Sequence, residues 1–392
     1  MQKLLHLAKS KLGSSQQANQ PSTALPGSSL EPETRGNSAR IKWPPKVIGI
    51  DMLDEVKDTN GRNIPRDLGR SITLGGEHFY MFADTFCFDD NGQFVGLTSN
   101  TCAFISDIKN PTRCSYWNQG PKEPEFIPFT QEDEEYNRDK RGTHMRVANW
   151  AFGGVIEDGL TEGAKSGTGT GWIFNDKVLI QDKGSVEMEL VRVKLQDGHK
   201  IHAEKVPGLS PFGKNDIRCG NISTFIDGGW VYLLGGTGDS EKTRNVMARI
   251  KYGHDLSQIS NYEYYTISGG WRPSFENIED LSDVMSGISH GMIFKTGVHG
   301  PKQRPYMCIG VDKFLSSRLY LGVAEKPEGP WDIKDVVELP KFLGQKSNTR
   351  YCLYMHDWAS NVAQGEFFIT WSDDGQMGGL VVAGKLRLHM ED

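Results

Sequence analysis

Two aspartates in the first quarter of the chain have the residue type and spacing for acid–base chemistry. Asp67 lies in the polar run at residues 66–71, and Asp84 follows an apolar run, 17 residues further along. That spacing fits two neighbouring antiparallel strands, so both carboxyl groups can face one cavity. Two acids in one pocket push their pKa values apart, which leaves one able to donate a proton and the other ionised. Glycoside cleavage needs such a pair, with carboxyl groups about 5 to 10 Å apart.

Structural roles for the same two acids stay open at this point. Asp67 could pair with Arg66 or Arg70, and Asp84 could cap the turn that contains Thr85. The position of Asp84 at the end of an apolar strand favours a functional role, because desolvation is strong there.

Eleven further residues are candidates for substrate binding. Arginines can hold hydroxyl groups or keep a carboxylate ionised, aromatic rings offer a stacking surface for sugars, and histidine can relay protons. A core histidine, a β-turn or a surface ion pair would explain several of them equally well. The candidates are Arg66, Arg70, Trp150, Glu157, Arg218, Arg249, His290, Tyr354, His356, Asp357 and Trp358, of which Glu157 is a reserve proton donor.

A recurring sequence motif indicates the secondary-structure elements that must position these residues. It consists of a turn, an alternating apolar and aromatic strand, and an acid or glycine where the strand stops, and it occurs at residues 75–84, 171–176, 228–235, 304–310 and 365–373. Its irregular spacing is typical of propeller blades that carry insertions. We therefore predict an all-β fold, a five-bladed β-propeller, in which polar residues at strand ends converge on a central channel.

The predicted propeller occupies residues 43–392 as a single domain. Residues 1–42 are rich in Ser, Gln and Pro and poor in large apolar residues, so we expect a disordered N-terminal tail. A ring of blades leaves no open sheet edge if its terminal strands pair, so residues 47–50 should pair with residues 379–388. Residues 131–141 and 275–286 do not fit strands and are expected to be surface insertions over the channel mouth.

Composition excludes several classes of protein. A net charge of −6 without a Lys/Arg run argues against nucleic-acid partners, and no apolar stretch approaches the ~20 residues of a membrane helix. The first twelve residues lack the apolar core of a secretion signal, which favours a cytoplasmic protein over an organelle-targeted one. The sequence contains no phosphate loop, dinucleotide fingerprint or Gly-x-Ser-x-Gly elbow.

The spacing of the cysteines, histidines and acids predicts no cofactor. None of the six cysteines forms a Cys-x-x-Cys pair, and no His cluster has zinc-ligand spacing, so buried free thiols are expected. A calcium ion in the channel is open as an alternative, although no loop is spaced like an EF-hand.

The first predicted blade resembles the family known as domain of unknown function 4185. The resemblance lies in Arg66-Asp67-Leu68-Gly69-Arg70-Ser71, followed by a glycine turn and Phe82-Ala83-Asp84-Thr85. It continues in Gly235-Gly236-Thr237, Val246-Met247-Ala248-Arg249 and Gly329-Pro330-Trp331. Members of that family are five-bladed propellers, and its bacterial representatives include endo-D-arabinanases, glycoside hydrolases that cut arabinofuranose polymers.

The resemblance implies that Asp67 and Asp84 are a catalytic pair. Family members usually have glycine before the second aspartate, whereas this chain has Ala83. We therefore expect a glycosidase-like hydrolase that cleaves a glycosidic bond in an oligosaccharide or other small molecule, and the resemblance implies a furanosidic one. The alternative is a propeller without hydrolytic chemistry, either a carbohydrate-binding module or a biosynthetic tailoring or cyclase protein that binds a small molecule in the central channel.

Overall fold

The computed structural model describes most of the chain from residue 40 onward. The described residues are 40–62, 64–118, 120–160, 166–180, 184–206, 212, 217–237, 244–285, 288–296, 304–312, 316–342, 349–374 and 379–391. The predicted N-terminal tail lies outside this part except for residues 40–42. These three residues belong to the fold, because Arg40–Ile41 forms strand β1 and the Lys42 amide donates to the carbonyl of His389.

The fold is a five-bladed β-propeller, as predicted, and its first blade follows two further strands. Those strands are β2 (Val47–Glu55) and β3 (Lys57–Asp58). Blade 1 consists of β4 (Arg66–Leu74), β5 (Glu77–Phe88), β6 (Phe94–Thr98) and β7 (Thr101–Phe104). Strand β8 (Arg113–Cys114) follows this blade and pairs with β3 in a separate parallel sheet. Both β6 and β7 pair with β5, so they form one interrupted third strand.

Blade 2 begins after a short helix and has an interrupted inner strand. Its elements are α1 (Gln131–Asp139), β9 (Arg146–Trp150), β10 (Val155–Glu157), β11 (Thr170–Ile180), β12 (Gly184–Gln196) and β13 (Lys200–Lys205). Strands β9 and β10 pair with successive parts of β11. The break between them contains Gly154, whose φ of 99° favours glycine.

The other three blades are antiparallel sheets of four or five strands. Blade 3 is β14 (Ile217–Asp227), β15 (Trp230–Thr237), β16 (Asn245–Lys251), β17 (Tyr262–Thr266) and β18 (Gly270–Arg272). Blade 4 is β19 (His290–Lys295), β20 (Tyr306–Val311), β21 (Arg318–Ala324) and β22 (Asp332–Glu338). Blade 5 contains β23 (Arg350–Met355), β24 (Glu366–Asp373) and β25 (Leu380–Leu388), and β26 (Met390–Glu391) follows it. Short 3₁₀ turns lie at Ile259–Asn261, Ile278–Asp280, Asp357–Ala359 and Val362–Gln364.

The innermost strands form a closed ring. Each of β4, β10, β14, β19 and β23 contacts the next, and β23 contacts β4 again. Strand β2 completes blade 5 by pairing with β25, and β1 pairs with β26. The prediction that the terminal strands share a blade is therefore confirmed.

The recurring sequence motif corresponds to the second strand of each blade. These strands are β5, β11, β15, β20 and β24, and each lies between two hydrogen-bonded neighbours. Adjacent blades cover both faces of such a strand, as in β24, where Phe367 packs in a core shared with blade 4 and Phe368 in one shared with blade 1. This burial explains the apolar and aromatic composition. The channel itself is lined by the preceding inner strands, where polar residues are more frequent.

Three inner strands contain a bulge with a residue in the left-handed region. In β4 the residues are Leu68 (φ 77°) and Gly69 (φ 68°), in β14 Gly220 (φ 94°), and in β23 Cys352 (φ 51°). The pairing register shifts at each of these places. A bulge re-aims the side chains beside it, so these strands do not follow simple alternation.

All six cysteines are buried free thiols, as the sequence predicts. Among the described residues, no helix is long and apolar enough to cross a membrane.

Candidate functional site

Asp67 lies directly before the bulge of β4 and next to blade 5. The Tyr351 hydroxyl donates to its Oδ2 at 2.9 Å. Its Oδ1 is buried and has no hydrogen-bond partner in the described part of the chain. The carboxyl group is thus held on one oxygen, and its other oxygen is left for a proton or a ligand.

The pKa of Asp67 is raised from its ordinary value of 3.8 to about 8. Burial is the largest cause and the negative charge of Asp84 is the second, while the Tyr351 hydrogen bond and the charge of Arg146 act in the opposite direction. Burial disfavours the charged form of a carboxyl group, and a second carboxylate adds to this effect. Asp67 therefore keeps its proton at neutral pH.

Asp84 lies in β5 and binds residues from blade 2. Its Oδ2 forms an ion pair with Nη2 of Arg146, and the indole Nε1 of Trp150 donates to its Oδ1 at 3.3 Å. The side chains of Asp84 and Arg146 are each 22% exposed, so the pair remains open to solvent. An ion pair with arginine requires the ionised form of Asp84, which is the opposite of the state of Asp67.

Helix α1 holds the beginning of β9, from which Arg146 and Trp150 project. The side chain of Asn137 accepts from the Val147 amide at 2.7 Å and donates to the Val147 carbonyl at 3.2 Å. One turn earlier on the same face of the helix, Asp133 pairs with Lys177 at 2.9 Å and with Lys205 at 3.4 Å. The charged segment predicted as a surface insertion is thus a helix that fixes one wall of the acid pair.

Arg70 follows Asp67 by three residues in β4 and contacts three other blades. Its guanidinium carbon is 5.0 Å from the centre of the Tyr354 ring, and its Nη1 is 3.5 Å from the carbonyl oxygen of Gly291. A β-carbon on Gly154 would lie only 2.9 Å from its Nη2. Blades 2, 4 and 5 therefore surround this one side chain from blade 1.

Blades 2, 3 and 4 contribute a second group of residues near the channel. The rings of Trp150 and Phe152 are 6.0 Å apart, and that of His290 is 5.3 Å from Phe152. Arg218 pairs with Asp176 at 3.6 Å. Burial, followed by the charge of Arg218, lowers the pKa of His290 to about 4, so this imidazole is neutral.

Two candidate arginines from the sequence lie away from this group. Arg66 is buried over the ring of Phe82 at 4.0 Å and donates to the carbonyl of Val56. Arg249 pairs with Glu263 in the outer part of blade 3. Both arginines have structural partners, so the expectation that they bind substrate is not met by their positions.

Glu157 is also a structural residue. It is 3% exposed, and its Oε1 accepts from the amides of Gly75 and Gly169. These two bonds join the β4–β5 turn to blade 2. The carboxylate is committed to backbone groups, which conflicts with its expected role as a reserve proton donor.

His356 belongs to a clamp that holds the bulge of β4. It is 1% exposed, its Nδ1 contacts the Ser71 hydroxyl at 2.5 Å, and its Nε2 contacts the Thr370 hydroxyl at 2.8 Å. Thr370 in turn donates to the carbonyl of Gly69 at 2.8 Å. Both ring nitrogens of His356 are thus bound to neighbouring core residues, and its predicted role as a proton relay stays a prediction.

The two neighbours of His356 are also used structurally. Trp358 donates through its indole to Ser71 at 2.9 Å and stacks on His78 with ring centres 4.8 Å apart. Asp357 is exposed and accepts from the Trp358 amide. The sugar-stacking role expected for Trp358 is therefore better filled by Trp150, which touches Asp84.

Sequence reasoning missed Tyr351 and Arg146, the direct partners of the two acids. Tyr351 is 284 residues from Asp67, and Arg146 is 62 residues from Asp84. Each stands at or next to the first residue of an inner strand, which is the signal that could have identified it. The two acids themselves are brought together, since the charge of Asp84 acts on Asp67.

The described surface also has two depressions outside this group. One is lined by Thr98 and Glu125 among others, and the second by Glu77 and His199 among others. Neither is lined by Asp67 or Asp84. Within the described residues, no group of three or more His, Cys, Asp or Glu side chains is arranged to hold a metal ion.

The fold is shared with solved structures of low sequence identity. A provisionally named hydrolase from Bacteroides ovatus has a TM-score of 0.55 and 16% identity, over 92% of this chain and 97% of that protein. A family 117 glycoside hydrolase from the marine bacterium Zobellia galactanivorans has a TM-score of 0.48 and 11% identity, over 88% of this chain and 90% of that protein. At such identities the similarity shows the fold alone. Among curated proteins, none matches the sequence.

The family match covers more than half of the chain. Residues 172–378 match the family described as "Domain of unknown function (DUF5005)". The match extends from blade 2 to the β24–β25 connection, so Asp67 and Asp84 precede it. It does not confirm the family that the first-blade motif resembles, which is a different one. The chain belongs to the DUF5005 family.

Proposed function

We propose that this protein is a glycosidase-like hydrolase in which Asp67 donates a proton and Asp84 acts as base or nucleophile. The observation that supports this most directly is the difference between the two acids. Asp67 has a pKa of about 8, while Asp84 is paired with Arg146. One protonated and one ionised carboxyl group at one site are what hydrolysis of a glycosidic bond requires.

The proton and the electron pairs can be assigned to the two side chains. Asp67 gives its proton to the glycosidic oxygen, and the bond from that oxygen to the anomeric carbon breaks. Asp84 either attacks the anomeric carbon or takes a proton from the water that attacks it. Trp150 offers an aromatic surface beside Asp84, where the C–H face of a sugar can pack.

The substrate class is proposed from the first-blade motif. Its resemblance to the family that includes endo-D-arabinanases supports a furanosidic bond. The protein from Bacteroides ovatus that shares this fold is itself provisionally named as a hydrolase. An oligosaccharide or a small glycoside is therefore the proposed substrate.

A panel of aryl furanosides and pyranosides tests this proposal. The variants are Asp67→Asn and Asp84→Asn, and the matched control is Asp335→Asn, which removes an exposed acid that pairs with Arg318 on the outer side of blade 4. General acid or base catalysis contributes about 10²- to 10⁴-fold, so each site variant should lose at least about 100-fold in kcat/KM. Equal turnover by the parent and Asp84→Asn would contradict the proposal.

The dependence on pH provides a second measurement. Hydrolysis should fall as the pH rises past about 8, because Asp67 then loses the proton that it must donate. Activity that keeps rising through that range would show that Asp67 is not the acid.

The Asp84–Arg146 ion pair favours one alternative, a propeller that binds carbohydrate without cleaving it. A carboxylate paired with arginine is a weaker base, and it can still accept hydrogen bonds from sugar hydroxyls. In that case the parent would hydrolyse none of the glycosides and would still bind oligosaccharides. Calorimetric titration of the parent and Asp84→Asn separates the two functions.

A further inference from the structure

Arg70 is a buried cation without an ionic partner. Its side chain is 5% exposed, and no carboxylate of the described residues lies within ion-pair distance of it. Its Nε has no hydrogen-bond partner in the same part of the chain, and its hydrogen bond from Nη1 to Gly291 is long, at 3.5 Å. A guanidinium group has five N–H donors, and at least the one on Nε is unused.

Arg218 adds a second cation on the blade 3 side of the same region. Its Nε is buried and likewise without a partner among the described residues, and its ion pair with Asp176 is long, at 3.6 Å. The charge of Arg218 acts on His290, and Arg70 contacts Gly291, the next residue. The two guanidinium groups therefore approach the beginning of β19 from blades 1 and 3.

An uncompensated cation is costly in a protein interior. Burial lowers the pKa of Arg70 to about 10 from its ordinary value of 12.5, which reflects the loss of hydration. Buried charges in proteins are normally paired or hydrogen-bonded. Retention of a buried arginine without an ionic partner among the described residues is explained if its partner is supplied by a ligand.

We propose that Arg70, with Arg218, forms a subsite in the channel that binds a carboxylate or sulfate group on the sugar substrate. Arginine matches both groups because its planar fork donates two parallel hydrogen bonds to a pair of oxygens. That the ligand is a substrate rests on the proposed function. The proposal narrows the substrate class from glycosides in general to acidic or sulfated sugars.

The position of Tyr354 connects this subsite to the acid pair. Arg70 lies over the ring of Tyr354, and the ionisation of Tyr354 is influenced by both Arg70 and Asp67. One bound sugar residue can therefore contact the acids at one end and the arginines at the other.

The binding experiment uses the full chain and three defined probes. Sodium glucuronate, glucose 6-sulfate and glucose are titrated into the protein by calorimetry at constant ionic strength. We expect at least one of the two anionic sugars to bind ten times more tightly than glucose, and the difference between them identifies carboxylate or sulfate as the preferred group. Equal binding of all three sugars, or binding of none, would overturn the proposal.

The variants are Arg70→Met and Arg218→Met, with Arg318→Gln as the control. Arg318 is exposed on blade 4, and its substitution changes the net charge by the same amount. Arg70→Met should lose at least tenfold in affinity for the preferred anionic sugar, Arg218→Met should lose affinity to a smaller extent, and Arg318→Gln should bind like the parent. Unchanged affinity in Arg70→Met would refute the role of this residue.

Thermal unfolding gives a readout that needs no turnover. The anionic sugar should raise the Tm of the parent and leave that of Arg70→Met unchanged. If Arg70→Met does not fold, Arg218→Met and the comparison of the three probes on the parent decide the question. Failure of the proposed function is a separate result, since Asp84→Asn should lose hydrolysis while it binds the anionic sugar as the parent does.

Discussion

Asp67→Asn should stabilise the fold while it abolishes hydrolysis. In the folded protein the carboxyl group of Asp67 is protonated up to a pH of about 8, whereas in the unfolded chain it ionises near its ordinary value of 3.8. Between these values the folded state binds one more proton than the unfolded state, so the free energy of unfolding of the parent falls as the pH rises. Asparagine has no charge to lose and can still accept the hydrogen bond from Tyr351.

The size of the effect follows from the difference between the two pKa values. One pH unit corresponds to about 1.4 kcal/mol, so the penalty that Asp67 imposes on the parent is of the order of 4 kcal/mol at pH 7. It falls to about 1.5 kcal/mol at pH 5 and to about 0.5 kcal/mol at pH 4. The stability gained by Asp67→Asn should therefore be large near neutrality and small in acid.

Urea unfolding of the parent and the variant at several pH values from 4 to 8 measures this dependence. Asp332→Asn is a control in which the pKa shift has the opposite direction. Hydrogen bonds from Lys334, Trp43 and Arg304 lower the pKa of Asp332 to about 2. That acid contributes stability above pH 3.8 and loses it only as the pH falls towards 2, so its substitution should not alter the slope between pH 5 and 7. Parallel stability curves for the parent and Asp67→Asn over that range would refute the raised pKa of Asp67.

Four further substitutions test individual parts of the site. Tyr351→Phe removes a hydrogen bond that lowers the pKa of Asp67, so the alkaline limb of the rate profile should move to higher pH, and an unmoved limb would contradict this. Glu157→Ala leaves two backbone amides unpaired and should lower the free energy of unfolding by about 2 to 4 kcal/mol in urea titrations. Gly69→Ala should lower Tm strongly, because its β-carbon would lie 2.3 Å from a methyl group of Val381; a parent-like Tm would argue against the bulge. Trp150→Leu should raise KM more than it lowers kcat, and an unchanged KM would exclude sugar stacking there.

The fold could be predicted because the second strand of each blade has a strong local pattern. Strand β24 (Glu366–Asp373) has apolar side chains on both faces because Phe367 packs towards blade 4 and Phe368 towards blade 1. Asp84 could be found for a related reason, since an acid in a buried strand must have a partner or a function. The apolar pattern of the strand does not identify that partner.

The partners escaped prediction because a propeller joins residues that are distant in the sequence. Tyr351 reaches Asp67 only because blade 5 closes the ring next to blade 1. The arginines show the same limit: Arg66 and Arg70 share a six-residue segment, yet one is buried over Phe82 and the other contacts three more blades. The two arginines are the same residue type in one short segment, so the sequence does not distinguish their roles. They differ in the local backbone conformation of β4.

That conformation depends on side chains of blade 5 that bind the backbone of β4. The amide of Leu68 donates to Ser372 at 3.0 Å, and the carbonyl of Gly69 accepts from Thr370 at 2.8 Å. A bulge leaves backbone groups without their usual partner in the sheet, so these two hydroxyls replace the lost pairing. Leu68 keeps its left-handed conformation at a cost that the neighbouring blade offsets. The placement of Asp67 is therefore a property of the closed ring, because a first blade without blade 5 would have no groups to hold the bulge that positions the acid.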